Sequence, residues 1–454
     1  MIKDSFLYFL SKFLPAIISF AIIYLYLTKM NPKDYGLFSI TIVSIGLINI
    51  LSTQWIRSGM VRFFNKFKPI MHTISTIQIY IIIIVSIFSL LILLIMNFDS
   101  KYIYLFILIL INININEFLN NYFRTIIKPS VILYGNIIKN VIYISILILF
   151  IVLEINLTIY IALFSYLLGM FISNIYYCLH WNFKLKVEVK KIYLKKLAVY
   201  GIPLTISFSL GVLLQNIDKF LITFFLGVEE NGNYALVYDF IHNSLYMVMG
   251  ALGLASLPRI VNVDDENNQV LHFNKYIKLF YIICIPILFS FLSIIKELNI
   301  IFNEYGYKIT EFIIVFVIIS TFIHGINSFI YSQAIQLLEK TNIIILPSLL
   351  AILINVIMNF ILLPRIGVLS AAISSLIAFL ISNIILYLVM KKKAKIQFYP
   401  KILYLLIIIG VITMLITNQI NYSSVYINLI LKGLLITTIN IYVIYIFIKK
   451  HIKL

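Results

Sequence analysis

The sequence predicts an all-α integral membrane protein built from about fourteen membrane-spanning helices. Three observations predict this class: hydrophobic residues make up 62% of the 454 residues, charged residues make up only 11%, and the mean hydropathy is +1.05. Soluble domains contain about 45–50% apolar and about 25% charged residues, so a water-soluble globule is excluded. A disordered chain is excluded as well, because disorder requires low hydrophobicity.

Apolar stretches of about 21 residues recur along the chain, and each can cross a bilayer as a helix. The predicted spans are residues 7–28, 36–54, 74–97, 102–119, 131–153, 157–178, 199–226, 234–257, 276–296, 310–335, 343–363, 368–390, 402–418 and 425–448. No stretch between them is long enough for a soluble catalytic or ATP-binding domain. The first span follows Lys3 and lacks a small-residue cleavage site, so we expect a retained helix rather than a removable signal peptide.

The basic residues predict the orientation of the chain. The formal net charge is +18, which in a soluble protein would suggest nucleic acid as a partner. In a membrane protein, the excess of Lys and Arg marks the cytoplasmic loops. If the N-terminus is cytoplasmic, 26 of the 35 Lys and Arg residues fall on the cytoplasmic side and 6 on the other. We therefore expect both termini in the cytoplasm and no nucleic-acid partner.

Metal sites and disulfide frameworks are not expected. Cys178 and Cys284 lie in different apolar segments, and the sequence contains neither a CxxC motif nor a Cys/His cluster, which such sites require. The acidic triplet at 264–266 is interpreted as a solvated turn in a loop. The prediction is therefore that the protein binds no metal ion and no other cofactor.

Two basic clusters, at 184–196 and 391–401, divide the predicted spans into six, six and two. This division predicts an N-terminal lobe of helices 1–6 (1–190), a C-terminal lobe of helices 7–12 (191–393) and an appended helix pair (394–454). Many transporters are built from such repeats and bind their substrate between them.

A weak internal sequence repeat supports two parallel lobes. Residues 32–38 (PKDYGLF) precede a span that leads to Arg57 and Arg62, and residues 229–234 (EENGNY) precede a span that leads to Arg259. Each lobe also has a proline in its first helix, Pro15 or Pro203. The similar stretches precede the corresponding helix of each lobe with the same orientation, as a parallel repeat requires.

Three stretches carry a resemblance to a known family. They are residues 32–38 followed by 57–64 (RSGMVRFF), residues 200–204 (YGIPL), and residues 218–222 (DKFLI) followed by Gly227, Glu229, Gly232 and Tyr234. In these stretches the chain resembles the polysaccharide-transporter branch of the multidrug/oligosaccharidyl-lipid/polysaccharide exporter superfamily, and within it the Wzx-type O-antigen flippases. The span count and the loop lengths extend the resemblance over the whole chain.

The resemblance implies a transporter rather than an enzyme. It implies two lobes around a central, cationic cavity, and alternating access without ATP. The implied cargo is an undecaprenyl-pyrophosphate-linked oligosaccharide, moved to the outer leaflet of the bacterial inner membrane. Coupling to H⁺ or Na⁺, contact with membrane lipids, and partnership with a polysaccharide polymerase and a chain-length regulator are further implications.

Ionisable residues inside spans cost about 2.5–3.5 kcal/mol on insertion scales, so each needs a partner or water. Asp218 and Lys219 in the seventh span are candidates for the substrate cavity, and they point about 100° apart because they are consecutive. The alternative is a structural ion pair or a lysine that snorkels to the interface.

Asp239 and His242 share one face of the eighth span. They could relay protons, since histidine titrates near neutrality. The alternative is a polar contact between helices.

Basic residues near span ends are the other substrate-binding candidates. Arg57 and Arg62 could capture phosphate, for which the planar guanidinium is suited, and positive-inside anchoring is the alternative. Arg259 is their counterpart in the second lobe. Lys12 and Arg124 could line the entry to the cavity, and Lys139, about two turns inside the fifth span, could face the cavity or snorkel to the interface. His324 is interpreted as a core residue, and Lys432 as a snorkelling lysine.

Other functions stay open. A flippase for lipid II or for a teichuronic-type polymer would have the same architecture. A polysaccharide polymerase or ligase is disfavoured because such enzymes need a large outer loop, whereas the longest one predicted here is the stretch near 297–309. A multidrug exporter of the same superfamily is disfavoured by the cationic balance of the candidate residues.

Overall fold

Every element that the structure describes is a helix, which confirms the predicted all-α class. The computed structural model describes residues 2–183, 186–261, 266–337, 341–393 and 399–451. Within these helices the side chains of 2–14, 16, 254–255, 257–259, 261, 266–267, 336–337, 341–342, 391–393, 400 and 450–451 are not described. The acidic triplet at 264–266 lies outside the described side chains.

The helices follow the predicted spans closely in order and position. They are α1 (Ile2–Lys29), α2 (Pro32–Phe63), α3 (Ile70–Ile95), α4 (Ser100–Thr125), α5 (Pro129–Val152), α6 (Ile159–Leu179), α7 (Lys191–Leu226), α8 (Val228–Ile241), α9 (Met247–Val261), α10 (Glu266–Ser293), α11 (Ile295–Glu304), α12 (Glu311–Ile326), α13 (Ser332–Leu337), α14 (Ile345–Ile366), α15 (Leu369–Lys393), α16 (Pro400–Thr417) and α17 (Val425–His451). A π-helical turn, His242–Tyr246, joins α8 to α9, and a second one, Asn327–Tyr331, joins α12 to α13. A short 3₁₀ turn, Thr341–Ile344, precedes α14.

Among the described residues, eleven helices are long and apolar enough to cross a membrane by length and composition. The other three predicted spans fall on α1, on the α8–α9 segment and on α16. The apolar stretch in α16 is Lys401–Thr417, and the part of α1 whose side chains are described is Ile17–Lys29. The chain is thus a multi-pass membrane protein, and the number fourteen stays a prediction. The predicted outer loop near 297–309 was wrong in part, because α11 occupies most of it.

Prolines and glycines set several helix ends. Pro32, Pro129 and Pro400 each stand in the first turn of a helix, where the missing N–H costs nothing and the ring fixes a helical φ. Asn31 caps α2 by accepting a hydrogen bond from the Asp34 backbone N–H at 2.8 Å. At the end of α14, Gly367 has φ +65°, a conformation that glycine adopts without steric cost.

The chain divides into a first unit, Met1–Asn216, and a second unit, Ile217–Leu454, with the boundary inside α7. The predicted three-part division into 1–190, 191–393 and 394–454 stays a prediction. In the first unit, α5 packs on α1 and α6, and α4 packs on α2 and α6. Gly135 lets α5 approach α6 closely, because a Cβ there would lie 2.2 Å from the Tyr177 ring.

Polar side chains also join the helices of the first unit. Asn116 donates to Asn174 at 2.9 Å, and Asn174 donates to the side chain of Asn112 at 3.1 Å, which links α4 to α6. Tyr26 of α1 and Tyr143 of α5 share a hydrogen bond between their hydroxyls. Such inter-helix hydrogen bonds are typical of helices packed in lipid.

In the second unit, α14 and α15 form a hairpin, α12 packs on α15, and α10 packs on α16 and α17. The predicted C-terminal pair is therefore attached to the second unit through α10. Gly410 of α16 makes the close approach possible, since a Cβ there would lie 2.2 Å from the Phe289 ring of α10.

A buried ion pair joins α17 to α11. Lys432 Nζ lies 2.7 Å from Glu297 Oε1, and the two side chains are 1% and 4% exposed. Lys432 therefore does not snorkel to the interface, contrary to the expectation. His324 is buried, as expected.

We expect Lys432→Met to lower the free energy of unfolding by about 3–5 kcal/mol, because it leaves the Glu297 carboxylate buried without a counter-charge. The double variant Lys432→Met/Glu297→Leu should regain most of that loss, because an apolar pair needs no desolvation of charge. Reversible unfolding of the full chain in mixed micelles measures both.

The matched control is the exposed pair Lys308–Glu229, 3.9 Å apart with side chains 79% and 56% exposed. Lys308→Met should change the free energy of unfolding by less than about 1 kcal/mol. If Lys432→Met/Glu297→Leu were as unstable as Lys432→Met alone, the loss of stability could not come from the unpaired Glu297 carboxylate.

Candidate functional site

The carboxylate of Asp218 lies at the centre of a buried polar cluster in the second unit. The side chain is 1% exposed. Asn355 and Asn359 donate to Oδ1 at 2.9 Å and 3.1 Å. Tyr234 donates to Oδ2 at 3.2 Å, and Ser375 also donates to Oδ2. These five residues are called the Asp218 shell below.

Four elements build the Asp218 shell. Asp218 comes from α7, Tyr234 from α8, and Ser375 from α15. Asn355 and Asn359 are four residues apart on α14, so they share one face of that helix. All four donors are neutral, and within the described part of the chain no Lys, Arg or His lies within ion-pair distance of Asp218. The shell therefore satisfies the carboxylate without cancelling its charge.

The shell also contains an oxygen without a partner. Oδ1 of Asn359 is buried and accepts no hydrogen bond from any described residue. Together with the oxygens of Asp218, Asn355, Ser375 and Tyr234 it forms a set of hard oxygen atoms. Carboxylate, amide and hydroxyl oxygens are the ligands that hard cations prefer.

Sequence reasoning identified Asp218 but not the donors around it. The available signal was the pair of asparagines four residues apart on an apolar helix, since polar residues on one face of a spanning helix face protein rather than lipid. Tyr234 was indicated only by the family resemblance, and no signal in the sequence pointed to Ser375.

Lys219 does not pair with its neighbour Asp218. Its Nζ lies 2.8 Å from Oδ1 of Asp239 on α8 and 5.3 Å from the centre of the Tyr238 ring. Consecutive helix positions point about 100° apart, so α7 presents a carboxylate and an ammonium to two different sets of partners. The predicted candidates Asp218, Lys219 and Asp239 thus lie together in the second unit.

His242 follows Asp239 by three residues and begins the π-helical turn His242–Tyr246. Its ring stacks between Tyr238, at 5.5 Å, and Tyr246, at 4.3 Å. Both Asp239 and Lys219 act electrostatically on it. The pattern i and i+3 therefore placed Asp239 and His242 correctly in one neighbourhood.

Arg57 is buried inside the first unit rather than placed at a helix end. The helix α2 runs on to Phe63, and Arg57 is 2% exposed. Nη1 donates to Asn49 Oδ1 at 3.2 Å and Nη2 donates to Gln54 Oε1 at 2.7 Å. The carboxylate of Glu117 is 3.8 Å from Nη1. Nε is buried and has no hydrogen-bond partner among the described residues.

The other basic candidates have different surroundings. Arg62 is exposed, and its guanidinium carbon lies 6.0 Å from the centre of the Tyr200 ring. Arg124 is exposed in the last turn of α4, and Lys139 is half-buried on α5. The side chains of Lys12 and Arg259 lie outside the described residues. The predicted cavity lined by all of these residues stays a prediction.

The sequence and fold are similar to those of known proteins. A family profile described as "Polysaccharide biosynthesis protein" matches residues 1–264. A putative O-antigen transporter of Shigella flexneri is 28% identical over 181 residues, which are 40% of this chain and 43% of that relative. The matched segment thus spans less than half the length of this relative.

Solved structures share the fold over almost the whole chain. The lipid II flippase MurJ, in an inward closed conformation, superposes on this chain with a TM-score of 0.74 at 16% sequence identity. The superposition includes 99% of this chain and 100% of the MurJ chain. The eukaryotic MATE transporter AtDTX14 gives a TM-score of 0.57 at 13% identity, over 89% of this chain and 97% of its own. These named proteins are transporters and flippases, not enzymes.

Proposed function

The chain belongs to the polysaccharide biosynthesis protein family, as its sequence resemblance predicted, and from that premise we propose that it is a flippase for a lipid-linked oligosaccharide. The proposed cargo is one repeat unit on undecaprenyl pyrophosphate, moved from the cytoplasmic to the outer leaflet of the bacterial inner membrane by alternating access. The product serves O-antigen or another surface polysaccharide. The family match, joined to the similarity to a putative O-antigen transporter, carries the proposal.

The physical chemistry of such a cargo supports a protein path through the membrane. The pyrophosphate is anionic and the glycan is polar, so their transfer through hydrocarbon without compensation would be prohibitive. A chain with at least eleven apolar helices among its described residues has ample membrane-embedded surface for such a path. The polyprenyl tail needs no such path, because it is as apolar as the lipid around it.

Arg57 is the candidate group for the phosphates. Its Nη atoms are held by two side-chain amides, while Nε–H has no partner among the described residues. A guanidinium fixed in this way offers an oriented charge-assisted hydrogen bond at little cost in side-chain entropy. The neighbouring Glu117 carboxylate provides a counter-charge for the Arg57 guanidinium when no cargo is bound.

A flippase for lipid II is the second candidate function. The observation that favours it is the likeness in fold to MurJ over the full length of both chains. Both cargoes share the same pyrophosphate and the same class of lipid, so the fold alone does not separate them. The glycan that accumulates when the protein is missing separates them directly.

We expect deletion of the gene to leave lipid-linked oligosaccharide on the cytoplasmic leaflet. An impermeant probe applied to intact spheroplasts should fail to label it and should label it after lysis. Accumulated lipid II would support the second candidate instead. Single repeat units accessible on the outer leaflet would overturn the proposal, because translocation would then still occur, and would point to a polymerase or ligase.

We expect Arg57→Lys to reduce translocation of the lipid-linked oligosaccharide by about tenfold or more, because a hydrogen bond to a charged group is worth about 1.5–3 kcal/mol. A lysine keeps the charge but not the planar fork. Arg365, exposed at the end of α14, gives the matched control Arg365→Lys. Normal translocation by Arg57→Lys at equal membrane abundance would remove Arg57 from the proposed site.

We also propose that the Asp218 shell binds the coupling cation. A buried carboxylate surrounded by amide and hydroxyl oxygens suits a small monovalent cation better than the anionic cargo. This assigns Asp218 to coupling rather than to the substrate cavity. Lys219 stays near by as a fixed charge paired with Asp239.

In proteoliposomes, we expect a sodium gradient to accelerate translocation by the natural chain and not by Asp218→Asn, which is similar in shape but lacks the charge. Glu304→Gln, an exposed change on α11, is the control. Acceleration by a proton gradient alone, lost in Asp218→Asn, would identify the proton as the cation. Equal acceleration of the natural chain and Asp218→Asn would contradict the assignment.

A further inference from the structure

A column of stacked rings runs through the second unit beside the Asp218 shell. Tyr238 stacks on His242 and His242 on Tyr246, with interplanar angles of 18° and 21°. Tyr246 stacks in turn on His324, at 4.7 Å and 10°, and His324 stacks on Phe379 at 4.5 Å. Two histidines are therefore held in fixed orientations, 6.3 Å apart between ring centres.

Both helices that carry these histidines change to π-helical geometry at the column. The turn His242–Tyr246 includes one histidine, and the turn Asn327–Tyr331 begins three residues after the other. Gly325 of α12 lies against the end of the Met249 side chain of α9. π-Helical turns inside α-helices are frequent at functional sites. The column is thus a place where two helices depart together from regular geometry.

The hydrogen bonding of His242 is incomplete. Its Nε2 is buried and has no hydrogen-bond partner among the described residues. By contrast, Nε2 of His324 lies 3.2 Å from Ser328 Oγ. A buried polar atom without a partner destabilises the fold, so an unpaired imidazole nitrogen next to charged groups needs a functional explanation.

The charges around His242 come from two helices. Asp239 lies one turn earlier on α8, Lys219 lies on α7, and both act electrostatically on the ring. The helix α12 packs against the same turn and contributes the ring of His324. The helix α10 also packs there, and none of its described residues is among the charges acting on His242.

From this arrangement we propose that His242 is a proton-binding site whose occupation weakens the Lys219–Asp239 ion pair. The proton adds to the lone pair of the unprotonated ring nitrogen and converts the imidazole to imidazolium. The carboxylate of Asp239 then faces two cations instead of one, so its attraction is divided between Lys219 and His242. His324 stays neutral, because a second cation 6.3 Å away in the same interior would be repelled.

The weakened pair acts on the Asp218 shell through α7. Lys219 follows Asp218 directly, so an ammonium that leaves Asp239 raises the positive potential at Asp218. Protons and the cation of the Asp218 shell therefore oppose each other. This part rests on the proposed cation coupling, whereas proton binding at His242 does not. A coupling of this kind between two sites typically changes affinity by about 5–150-fold.

The test is a proton titration of each histidine in the full chain, labelled with ¹³C-histidine and held in lipid nanodiscs. The chain has 6 histidines, and His242→Gln identifies the signal of interest by its loss. We expect that signal to shift as the pH is lowered, as an imidazole that takes up a proton must. At a given pH, Asp239→Asn should reduce the protonated fraction of His242, because the anion is gone. Lys219→Met should increase it, because the anion is no longer shared.

A signal of His242 that does not titrate would overturn the proposal, and so would equal titration in the natural chain, Asp239→Asn and Lys219→Met. His272→Gln, at an exposed position of α10, is the control and should leave the signal unchanged. Because these variants could alter folding, the signals of the remaining histidines must keep their positions in each.

The functional arm measures translocation against pH in proteoliposomes with sodium held below saturation, where a change in cation affinity changes the rate. The natural chain should slow as the pH falls, by about fivefold or more, and His242→Gln should lose this dependence while His272→Gln keeps it. If the natural chain moved no lipid-linked oligosaccharide at any pH, the proposed function would fail, and the titration would still decide whether His242 binds the proton.

Discussion

The absence of water from the hydrocarbon core is the constraint on which the interior of both units depends. A polar group placed there must find its partners within the protein. The chain meets this requirement in two ways. The first is the ion pair, in which each charge is neutralised by an opposite one, as in Lys219–Asp239 and Lys432–Glu297. Asp218 is instead satisfied by neutral donors. The two solutions differ, because the second surrounds a carboxylate with neutral donors and, among the described residues, no opposite charge.

Much of the fold could be predicted from the sequence, because runs of apolar residues bounded by prolines, glycines and lysines are local signals. The ends of α2, α5 and α16 at Pro32, Pro129 and Pro400 are examples. The π-helical turns were not predicted, since their hydrogen-bond pattern is imposed by packing against a neighbouring helix. The short helix α11 was mistaken for loop because ten residues cannot span a bilayer.

The candidate site was predicted in part, and for a similar reason. A charge inside an apolar span is visible in the sequence, so Asp218, Lys219 and Asp239 were found. The neutral donors were missed because isolated asparagines and serines are common in spanning helices, and the partners of Asp218 lie up to 157 positions away. A similarly large separation in sequence explains the error at Lys432, whose burial depends on the carboxylate of Glu297 on another helix. Arg57 was predicted at a helix end because the apolar run stops before α2 does.

The pairing of Lys432 with Glu297 also sets an order of events during synthesis. The lysine lies 135 residues after the glutamate, and a ribosome adds about 5–20 residues per second. For about 7–27 seconds the carboxylate therefore exists before its partner does. During that interval α11 must stay where water or lipid headgroups can solvate Glu297, so the second unit reaches its final packing only when the last helix has been inserted.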